Sequence, residues 1–222
     1  MQLEVVNTND GSTTLLNKEL NATYHSKFGA VEESKHIYIN HGLVPSMSYF
    51  GNSINIIEIG FGTGLNALLT LQEATLQKLN IHYYAIEKNP VPKELYKKLN
   101  YSSFVKTLEE DQFERIMASE WEEQITLNPF FKISKLQKDI HDLPTLPQAH
   151  LIYYDAFAPA AAPDMWQKPV FDKLYNVLPQ KGSIITYCAK GEVKRTLKQT
   201  GFIVEALPGP SGKREITRAI KP

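Results

Sequence analysis

Short apolar runs alternate with longer stretches of helical spacing over most of this 222-residue chain. Residues 54–59 form a β-branched run that ends at glycines, and residues 65–79 follow with apolar positions at helical spacing. This alternation is typical of right-handed crossovers and a mostly parallel sheet. The predicted strands are 54–59, 81–87, 130–136, 149–154, 183–188, 202–206 and 215–220. The predicted helices in the same part of the chain are 65–79, 90–99, 104–126, 171–178 and 192–199.

The two ends of the chain depart from this alternation. The predicted strands at 202–206 and 215–220 are too close for a helix between them, so an antiparallel hairpin is expected at the sheet edge. Within residues 1–16, two apolar runs flank Asn9-Asp10-Gly11, which favours a second hairpin. Residues 26–42 are predicted to form a helix that ends at Gly42.

These elements together predict an α/β fold class. A mostly parallel seven-stranded sheet with an antiparallel C-terminal hairpin is the Rossmann-like arrangement of class I methyltransferases. The chain is expected to divide into a small N-terminal extension of residues 1–50 and a core domain of residues 51–222.

Composition places the chain among ordinary globular proteins, with 42% hydrophobic and 22% charged residues. No apolar run has the roughly 18 residues that a membrane span needs, and the N-terminus lacks the pattern of a signal peptide. The single cysteine, Cys188, cannot form an internal disulfide, so a cytoplasmic location is expected. The histidines show no spacing with cysteines or acids that would build a metal site, and no metal is expected.

The net charge is zero, but its distribution is uneven. Residues 181–222 hold nine Lys or Arg against three acids, a local charge of +6. Such a basic face suits an RNA enzyme with a docking patch. On charge alone, a charged surface helix followed by a loop is the simpler interpretation.

A glycine-rich run lies between the first core strand and its helix: Gly60-Phe61-Gly62-Thr63-Gly64. Its G-x-G-x-G spacing differs from the G-x-G-x-x-G that cradles a dinucleotide pyrophosphate. Glu58 precedes it, and a carboxylate there would repel a pyrophosphate but suit the cationic groups of S-adenosylmethionine. The alternative is a tight strand-to-helix turn without a ligand.

Acidic residues also follow the next two predicted strands. Glu87 is placed to accept hydrogen bonds from ribose hydroxyls. Asp139 is placed to reach an adenine amino group, with Ile140 as a packing surface. Each acid alone is compatible with a solvated loop, but acids at successive strand ends favour a bound nucleoside cofactor, S-adenosylmethionine.

The strand at 149–154 ends at Asp155, where the fold would present a methyl acceptor. Asp155 could accept a hydrogen bond from an amine, acting either as a base or only to position the nitrogen. Aromatic and proline residues after it could form a wall for a planar base. The alternative is an apolar loop with a solvent-facing Asp.

Three stretches of sequence resemble one family: Asp155-Ala156-Phe157-Ala158-Pro159 with Pro163-Asp164-Met165-Trp166, the glycine run through Asn66, and Gly212-Lys213-Arg214-Glu215. The chain resembles the tRNA 5-methylaminomethyl-2-thiouridine methyltransferase family, the methyltransferase domain of MnmC-type proteins, from about residue 8 to 219. The resemblance implies an S-adenosylmethionine-dependent enzyme that methylates the amine of 5-aminomethyl-(2-thio)uridine at the wobble position, in the anticodon region of tRNA.

The resemblance and the strand-end pattern together give a set of candidate site residues, with Asp155 as the catalytic one. The candidate cofactor contacts are Glu58, Gly60, Phe61, Gly62, Gly64, Asn66, Glu87, Lys88, Asp139, Ile140, Tyr24 and Met47. Tyr24 and Met47 correspond to a region that closes over the cofactor in this family. The candidate acceptor or RNA contacts are Phe157, Pro159, Met165, Trp166, Lys190, Lys213 and Arg214.

The chain also departs from the family's bifunctional members, which carry a second, flavin-dependent oxidase domain. It has no second dinucleotide glycine motif, so its amine substrate is expected from a separate upstream enzyme. One alternative is a methyltransferase for a small-molecule or protein amine, which needs no basic face. Another is a non-catalytic nucleoside- or RNA-binding protein. A dehydrogenase is disfavoured by the glycine spacing.

Overall fold

A small antiparallel sheet opens the computed structural model, which describes residues 2–222. It contains β1 (Leu3–Asn7), β2 (Thr13–Asn17) and β3 (Ala22–Thr23), in that order. The β1–β2 hairpin confirms the turn predicted at Asn9-Asp10-Gly11, where Gly11 has a φ of +83°. Met1, the first residue of the predicted hairpin segment, lies outside the described residues.

The central sheet confirms the predicted Rossmann-like arrangement. Its strands are β4 (Ser53–Ile59), β5 (Asn80–Ile86), β6 (Gln124–Asn128), β7 (Phe131–Leu136), β8 (Leu151–Tyr154), β9 (Ser183–Thr186), β10 (Ile203–Pro208) and β11 (Glu215–Ile220). They lie in the order β10-β11-β9-β8-β4-β5-β7-β6. The strands from β9 to β7 in that order are mutually parallel, and β10 with β11 forms the expected antiparallel hairpin.

Helices connect the strands and cover both faces of the sheet. They are α1 (Ala30–Ser34), a π-helical segment (Lys35–Leu43), α2 (Val44–Phe50), α3 (Leu65–Gln77), α4 (Lys93–Tyr96), α5 (Gln112–Ala118), α6 (Lys168–Val177) and α7 (Gly191–Thr200). None of the helices described between residues 2 and 222 has both the length and the apolar composition of a membrane-spanning segment.

The first long helix extends past its predicted end. The prediction placed it at 26–42, whereas it begins at Ala30 and continues to Phe50. Gly42 lies inside this helix, at a point where the helix packs closely on the sheet. A Cβ at position 42 would stand 3.0 Å from Ile185 Cγ2. The helix ends instead at Gly51, which has a φ of +66°.

The predicted helix at 104–126 is wrong over most of its length. Only α5 is α-helical in this region, and residues 124–128 form the edge strand β6. Pairing with β7, in which Ile125 lies opposite Ile133, overrides the helical spacing of the apolar residues. This added strand makes the sheet eight-stranded in place of the seven strands predicted. The helix predicted at 90–99 is also reduced, to α4.

Two apolar layers hold the helices on the sheet. In β4, Ile56 belongs to the layer under α3, whereas Ile57 belongs to the opposite layer, under α6. Side chains two apart share a face of a strand, so Glu58 lies on the α3 side with Ile56. The alternation of side chains along β4 therefore places Glu58 under α3.

Candidate active site

A cavity of about 530 Å³ opens where the parallel strands end. Its wall includes Gly60 after β4, Glu87 after β5, Asp139 after β7 and Asp155 after β8. Ligands of parallel α/β sheets bind at this edge, and the volume lies in the usual range for small-molecule sites, about 300–1,000 Å³. We call this space the main cavity.

The glycine run lets three parts of the chain approach one another. Gly60 has a φ of +89°, and a Cβ there would stand only 2.7 Å from the carbonyl oxygen of Asp155. Gly62 has a φ of +50°, and a Cβ there would stand 2.9 Å from Tyr24 Cδ1. Glycine at these positions therefore keeps the ends of β4 and β8 in contact and seats Tyr24 over the loop.

Two other members of the glycine run support it from behind and do not line the main cavity. Gly64, with a φ of +75°, packs so closely on Met117 that a Cβ would stand 2.5 Å from its sulfur. Phe61 is buried in the core, where its ring meets that of Trp121 edge-on at 6.1 Å. These contacts fix the path of the loop.

Glu87 presents a carboxyl group that two backbone amides orient. Its Oε2 accepts a hydrogen bond from Gly62 N at 3.0 Å, and its Oε1 accepts one from Asn89 N at 2.8 Å. Burial raises the pKa of this carboxyl, although those bonds oppose the effect. Each oxygen keeps a lone pair for a further donor, so Glu87 can still accept a hydrogen bond from a hydroxyl group of a ligand in the cavity.

Asp139 is an ionised carboxylate at the rim of the same cavity. Its Oδ1 accepts hydrogen bonds from the backbone N and Nδ1 of His141, at 2.9 and 2.6 Å, and its Oδ2 accepts one from Lys88 Nζ at 2.9 Å. Burial raises its pKa, but these bonds outweigh burial and hold the pKa well below the usual range. Ile140 beside it is buried. Oδ2 keeps a lone pair for a ligand.

Asp155 lies where the two central strands end side by side. Its backbone N donates to Ile59 O at 2.9 Å, and its Oδ2 accepts from Asn66 Nδ2 at 2.8 Å. Burial raises the pKa of its carboxyl to about 6, while Tyr38 and Asn66 act in the opposite direction. The group can therefore take up and release a proton close to neutral pH.

An ion pair that sequence reasoning missed closes the wall beside Asp155. Lys213 pairs with Glu33 of α1, and its ammonium nitrogen lies 4.4 Å from the centre of the Tyr187 ring. Glu33 also accepts a hydrogen bond from Ser26 N at 2.7 Å. The main cavity is thus bounded by segments from both ends of the chain. No local sequence pattern indicates a contact between residues 180 positions apart.

A second concave surface adjoins the main cavity and shares Ala158, Tyr187 and Lys213 with it. Its other lining residues are Pro159, Cys188, Ala189, Lys190, Arg214 and Glu215. Lys190 and Arg214 are exposed, and Lys190 lies 3.6 Å from Glu192. We call this surface the side groove. It gathers the basic candidate residues next to Asp155.

The remaining candidates fall into two groups. Tyr24, Phe157 and Met165 line the main cavity, and the rings of Tyr24 and Phe157 meet edge-on at 5.0 Å. The others lie behind its wall. Trp166 is buried and donates from Nε1 to Phe157 O at 2.8 Å, so it supports the loop after β8. Met47 lies in α2, packed against the core and away from the cavity lining.

Glu58 and Asn66 are also behind the wall. Both are buried, and Asn66 Nδ2 donates to Glu58 Oε1 at 2.8 Å. Neither lines the main cavity. Among residues 2–222, no cluster of three or more His, Cys, Asp or Glu is placed to hold a metal ion.

Comparison with known proteins gives a family and a fold. A family model of S-adenosyl-L-methionine-dependent methyltransferases matches residues 99–222. The chain is 27% identical over 213 residues to the tRNA 5-methylaminomethyl-2-thiouridine biosynthesis bifunctional protein MnmC of Burkholderia pseudomallei, covering 86% of this chain and 32% of that protein. It is 30% identical over 224 residues to the MnmC protein of Pseudoalteromonas atlantica, covering 89% and 30%. The chain therefore spans about a third of the length of these relatives.

Solved structures agree on the fold. The crystal structure of MNMC2 from Aquifex aeolicus superposes with a TM-score of 0.76 at 24% identity, covering all of this chain and 72% of that one. Spermidine synthase from Thermotoga maritima superposes with a TM-score of 0.57 at 12% identity, covering 99% and 72%. At these identities, the likeness describes the architecture alone.

The residues of the main cavity fit the cofactor of that family. The glycines at 60 and 62 leave no side chain over the loop, and a Cβ at either would collide with the cavity wall. Glu87 and Asp139 present acceptors at successive strand ends, beside the apolar surface of Ile140. These acceptors and the apolar surface suit a nucleoside, and together with the match over residues 99–222 they lead to one conclusion: the chain belongs to the S-adenosyl-L-methionine-dependent methyltransferases.

Proposed function

We propose that this protein transfers a methyl group from S-adenosylmethionine to the amine of 5-aminomethyl-(2-thio)uridine at the wobble position of tRNA. The product is 5-methylaminomethyl-(2-thio)uridine. One observation carries the proposal: the backbone of Asp155 lies against the glycine loop at Gly60, and both residues line the main cavity, so an acceptor beside Asp155 is also beside the cofactor loop. The relatives named for tRNA 5-methylaminomethyl-2-thiouridine biosynthesis support the choice of substrate.

The chain's own residues would hold the cofactor at the ends of β4, β5 and β7. Glu87 would accept hydrogen bonds from the ribose hydroxyls, since each of its oxygens has a lone pair left. Asp139 would accept a hydrogen bond from the adenine amino group, and Ile140 would pack on the ring. The backbone at Gly60 and Gly62 would face the cofactor. S-adenosylmethionine would supply an electrophilic methyl group on a sulfonium, with S-adenosylhomocysteine as the leaving group.

Asp155 prepares the nitrogen. An exposed alkylamine has a pKa of about 10.4, so it is a cation at neutral pH and has no free lone pair. Asp155, with a pKa of about 6, is mostly ionised at that pH and accepts a hydrogen bond from the ammonium. It then takes the proton as the amine becomes neutral, and it keeps the nitrogen oriented for an in-line displacement.

The nucleotide would reach Asp155 past the side groove. Lys190 and Arg214 are exposed there and suit phosphate groups on either side of the modified uridine. Phe157 offers an aromatic face inside the main cavity for the base itself. The partner is therefore the anticodon region of tRNA, and the local charge of +6 over residues 181–222 favours its approach.

Three further parts of the proposal concern the setting of this activity. The aminomethyl group is made in an earlier reaction, which we assign to a separate upstream protein. Residues 1–50 act as an extension that covers the core of residues 51–222. The reaction takes place in the cytoplasm, where tRNA is modified.

The test uses labelled S-adenosylmethionine and tRNA from a strain that lacks this protein. We expect label in tRNA, and nucleoside mass analysis should show a new methylaminomethyl uridine. Asp155→Asn is the matched control, because it keeps the shape of the side chain and removes the base. Label in a small metabolite or a protein, with none in tRNA, would reject the proposed substrate in favour of another amine. Binding without transfer to any acceptor would reject catalysis.

A further inference from the structure

We propose that Asn66 is a positioning residue for Asp155 and that Glu58 acts through Asn66 as its buried acceptor. The inference rests on the proposed function in one respect, the use of Asp155 to receive the proton of the amine. It departs from the sequence interpretation, in which Glu58 and Asn66 contact the cofactor.

A single amide group joins the two carboxyl groups. Asn66 Nδ2 lies 2.8 Å from Glu58 Oε1 and 2.8 Å from Asp155 Oδ2. An amide nitrogen carries two hydrogens, so both are used. The bond from Asn66 holds Oδ2 of Asp155 on the protein side. Through this bond, α3 and β4 help to orient the Asp155 carboxyl.

The three residues come from three elements that the fold keeps in register. Glu58 lies in β4, which pairs with β8 through Ile59 opposite Tyr154. Asn66 lies in the first turn of α3, where its carbonyl oxygen accepts a hydrogen bond from Thr70 Oγ1 at 2.7 Å. The path from Glu58 through Asn66 to Asp155 thus runs behind the cavity wall, and only its last member lines the main cavity.

Burial argues against a direct role for Glu58 toward a ligand. Glu58 is 0% exposed and Asn66 is 2% exposed, and neither lines the main cavity. Desolvation by burial raises the pKa of Glu58 well above its ordinary value. Glu58 Oε2 and Asn66 Oδ1 are buried without a hydrogen-bond partner among the described residues. In this orientation the Asn66 amide presents Nδ2, and not Oδ1, to both carboxyl groups.

Several charged or titratable groups act on Asp155 besides Asn66, and each would contribute to a pH readout. They are Tyr38 of the π-helical segment, Glu33 of α1, Lys213 of the loop before β11, Tyr187 after β9, Glu58 of β4 and Tyr83 of β5. A change confined to Asn66 leaves all of these in place. The Asn66 variants therefore test the contribution of one hydrogen-bond donor to Asp155.

The primary measurement needs neither tRNA nor cofactor. We would follow the Asp155 carboxyl by ¹³C NMR titration in the full chain, with Asn66→Ala and with the uncharged, shape-matched Asn66→Leu. Loss of a hydrogen bond to a charged group should reduce the acidity of Asp155 by about tenfold or more. Thr75→Val is the control, since it removes a hydroxyl from the same helix that bonds to Leu71 O and to Asn128 and not to Asn66 or Asp155. An Asp155 titration that is unchanged in both Asn66 variants would overturn the proposal.

Binding and turnover then separate positioning from cofactor contact. For both Asn66 variants we expect the Kd for S-adenosylmethionine to stay within about twofold and kcat to fall by about tenfold or more, with the acid limb of the pH profile moved to higher pH. Equal losses in cofactor affinity and kcat would assign Asn66 to the cofactor instead.

Glu58→Gln sharpens the second half of the proposal. Glutamine keeps an acceptor oxygen toward Asn66 but cannot carry a negative charge. We expect cofactor affinity and Asp155 titration close to those of the unmodified protein. A loss of cofactor affinity of about tenfold would mean that Glu58 acts as an anion toward the ligand. If the unmodified protein methylates no tRNA while the Asn66 variants still shift Asp155, the proposed substrate fails and the positioning role stands.

Discussion

Asp139 and Asp155 follow two strands of one sheet and line one cavity, yet they are opposite in character. Asp139 lies at the rim with three donors on its two oxygens, and its pKa is held well below the usual range. Asp155 lies deeper, and burial raises its pKa to about 6. The comparison teaches that position at a strand end brings a carboxyl to the site, while the supply of donors decides what it can do there.

The largest expected effect separates the two carboxyls by activity. Asp155→Asn should lower kcat by about a hundredfold or more, since proton transfer by a positioned group typically contributes that much. Its Kd for S-adenosylmethionine should not change, because the predicted cofactor contacts lie on other strands. Calorimetry with the cofactor and a transfer assay would measure both. Transfer by Asp155→Asn at the normal rate would remove Asp155 from the mechanism.

The same substitution should make the protein more stable at neutral pH. A carboxyl with a folded pKa of about 6 against an ordinary 3.8 favours the neutral form, so its contribution is complete below pH 3.8 and is lost as pH rises through 6. Asp155→Asn should therefore gain up to about 3 kcal/mol over the unmodified protein at pH 7.5 and about nothing at pH 4. Urea unfolding at the two pH values measures this difference. A gain that is equal at both pH values would contradict a raised pKa at Asp155.

Asp139→Asn should have the opposite sign. The low folded pKa of Asp139 contributes stability that is present above its ordinary value of 3.8 and is lost as pH falls below it. Because the group is solvent-accessible, the loss on substitution should be about 1 kcal/mol at neutral pH. Cofactor affinity should fall by about tenfold, the amount expected for one ligand hydrogen bond with a charged partner. Stabilisation by this substitution would break the comparison.

The smallest effects should come from substitutions in the side groove, which is lined by neither Asp139 nor Asp155. Lys190→Ala and Arg214→Ala should each weaken tRNA binding modestly and reduce its salt slope by about 1. Cofactor affinity should remain unchanged in both. Filter binding over a range of salt concentrations would measure the slope. A slope equal to that of the unmodified protein would place the RNA elsewhere.

Much of this arrangement could be predicted from the sequence because it follows chain-order rules. Parallel strands end at the same edge, so Glu87, Asp139 and Asp155 were expected to meet, and they line one cavity. Glu58 was also placed correctly on its strand, but its side chain faces α3. Glu58 lies two positions from Ile56 in β4, so the two side chains share a face of the strand, and this spacing indicates the orientation of Glu58.

The remaining features depend on contacts between distant parts of the chain. The strand β6 forms because β7 offers an edge, and the residues between 104 and 126 alone favour a helix. The pairing of Glu33 with Lys213 joins α1 to the loop before β11, and local sequence patterns do not describe such pairs. Met47 was expected near the cofactor, but α2 carries it to the core beside β4.

The pairing of Glu33 with Lys213 has a consequence for the order of assembly. The wall beside Asp155 needs α1 from one end of the chain and the β10–β11 hairpin from the other. Bringing these distant segments together costs loop-closure entropy, and contacts between distant residues form slowly. A nascent chain can build the glycine loop and the strands around β4 well before that hairpin emerges. The cofactor-binding part of the main cavity, at the glycine loop, should therefore form before the wall beside Asp155 that contacts the acceptor.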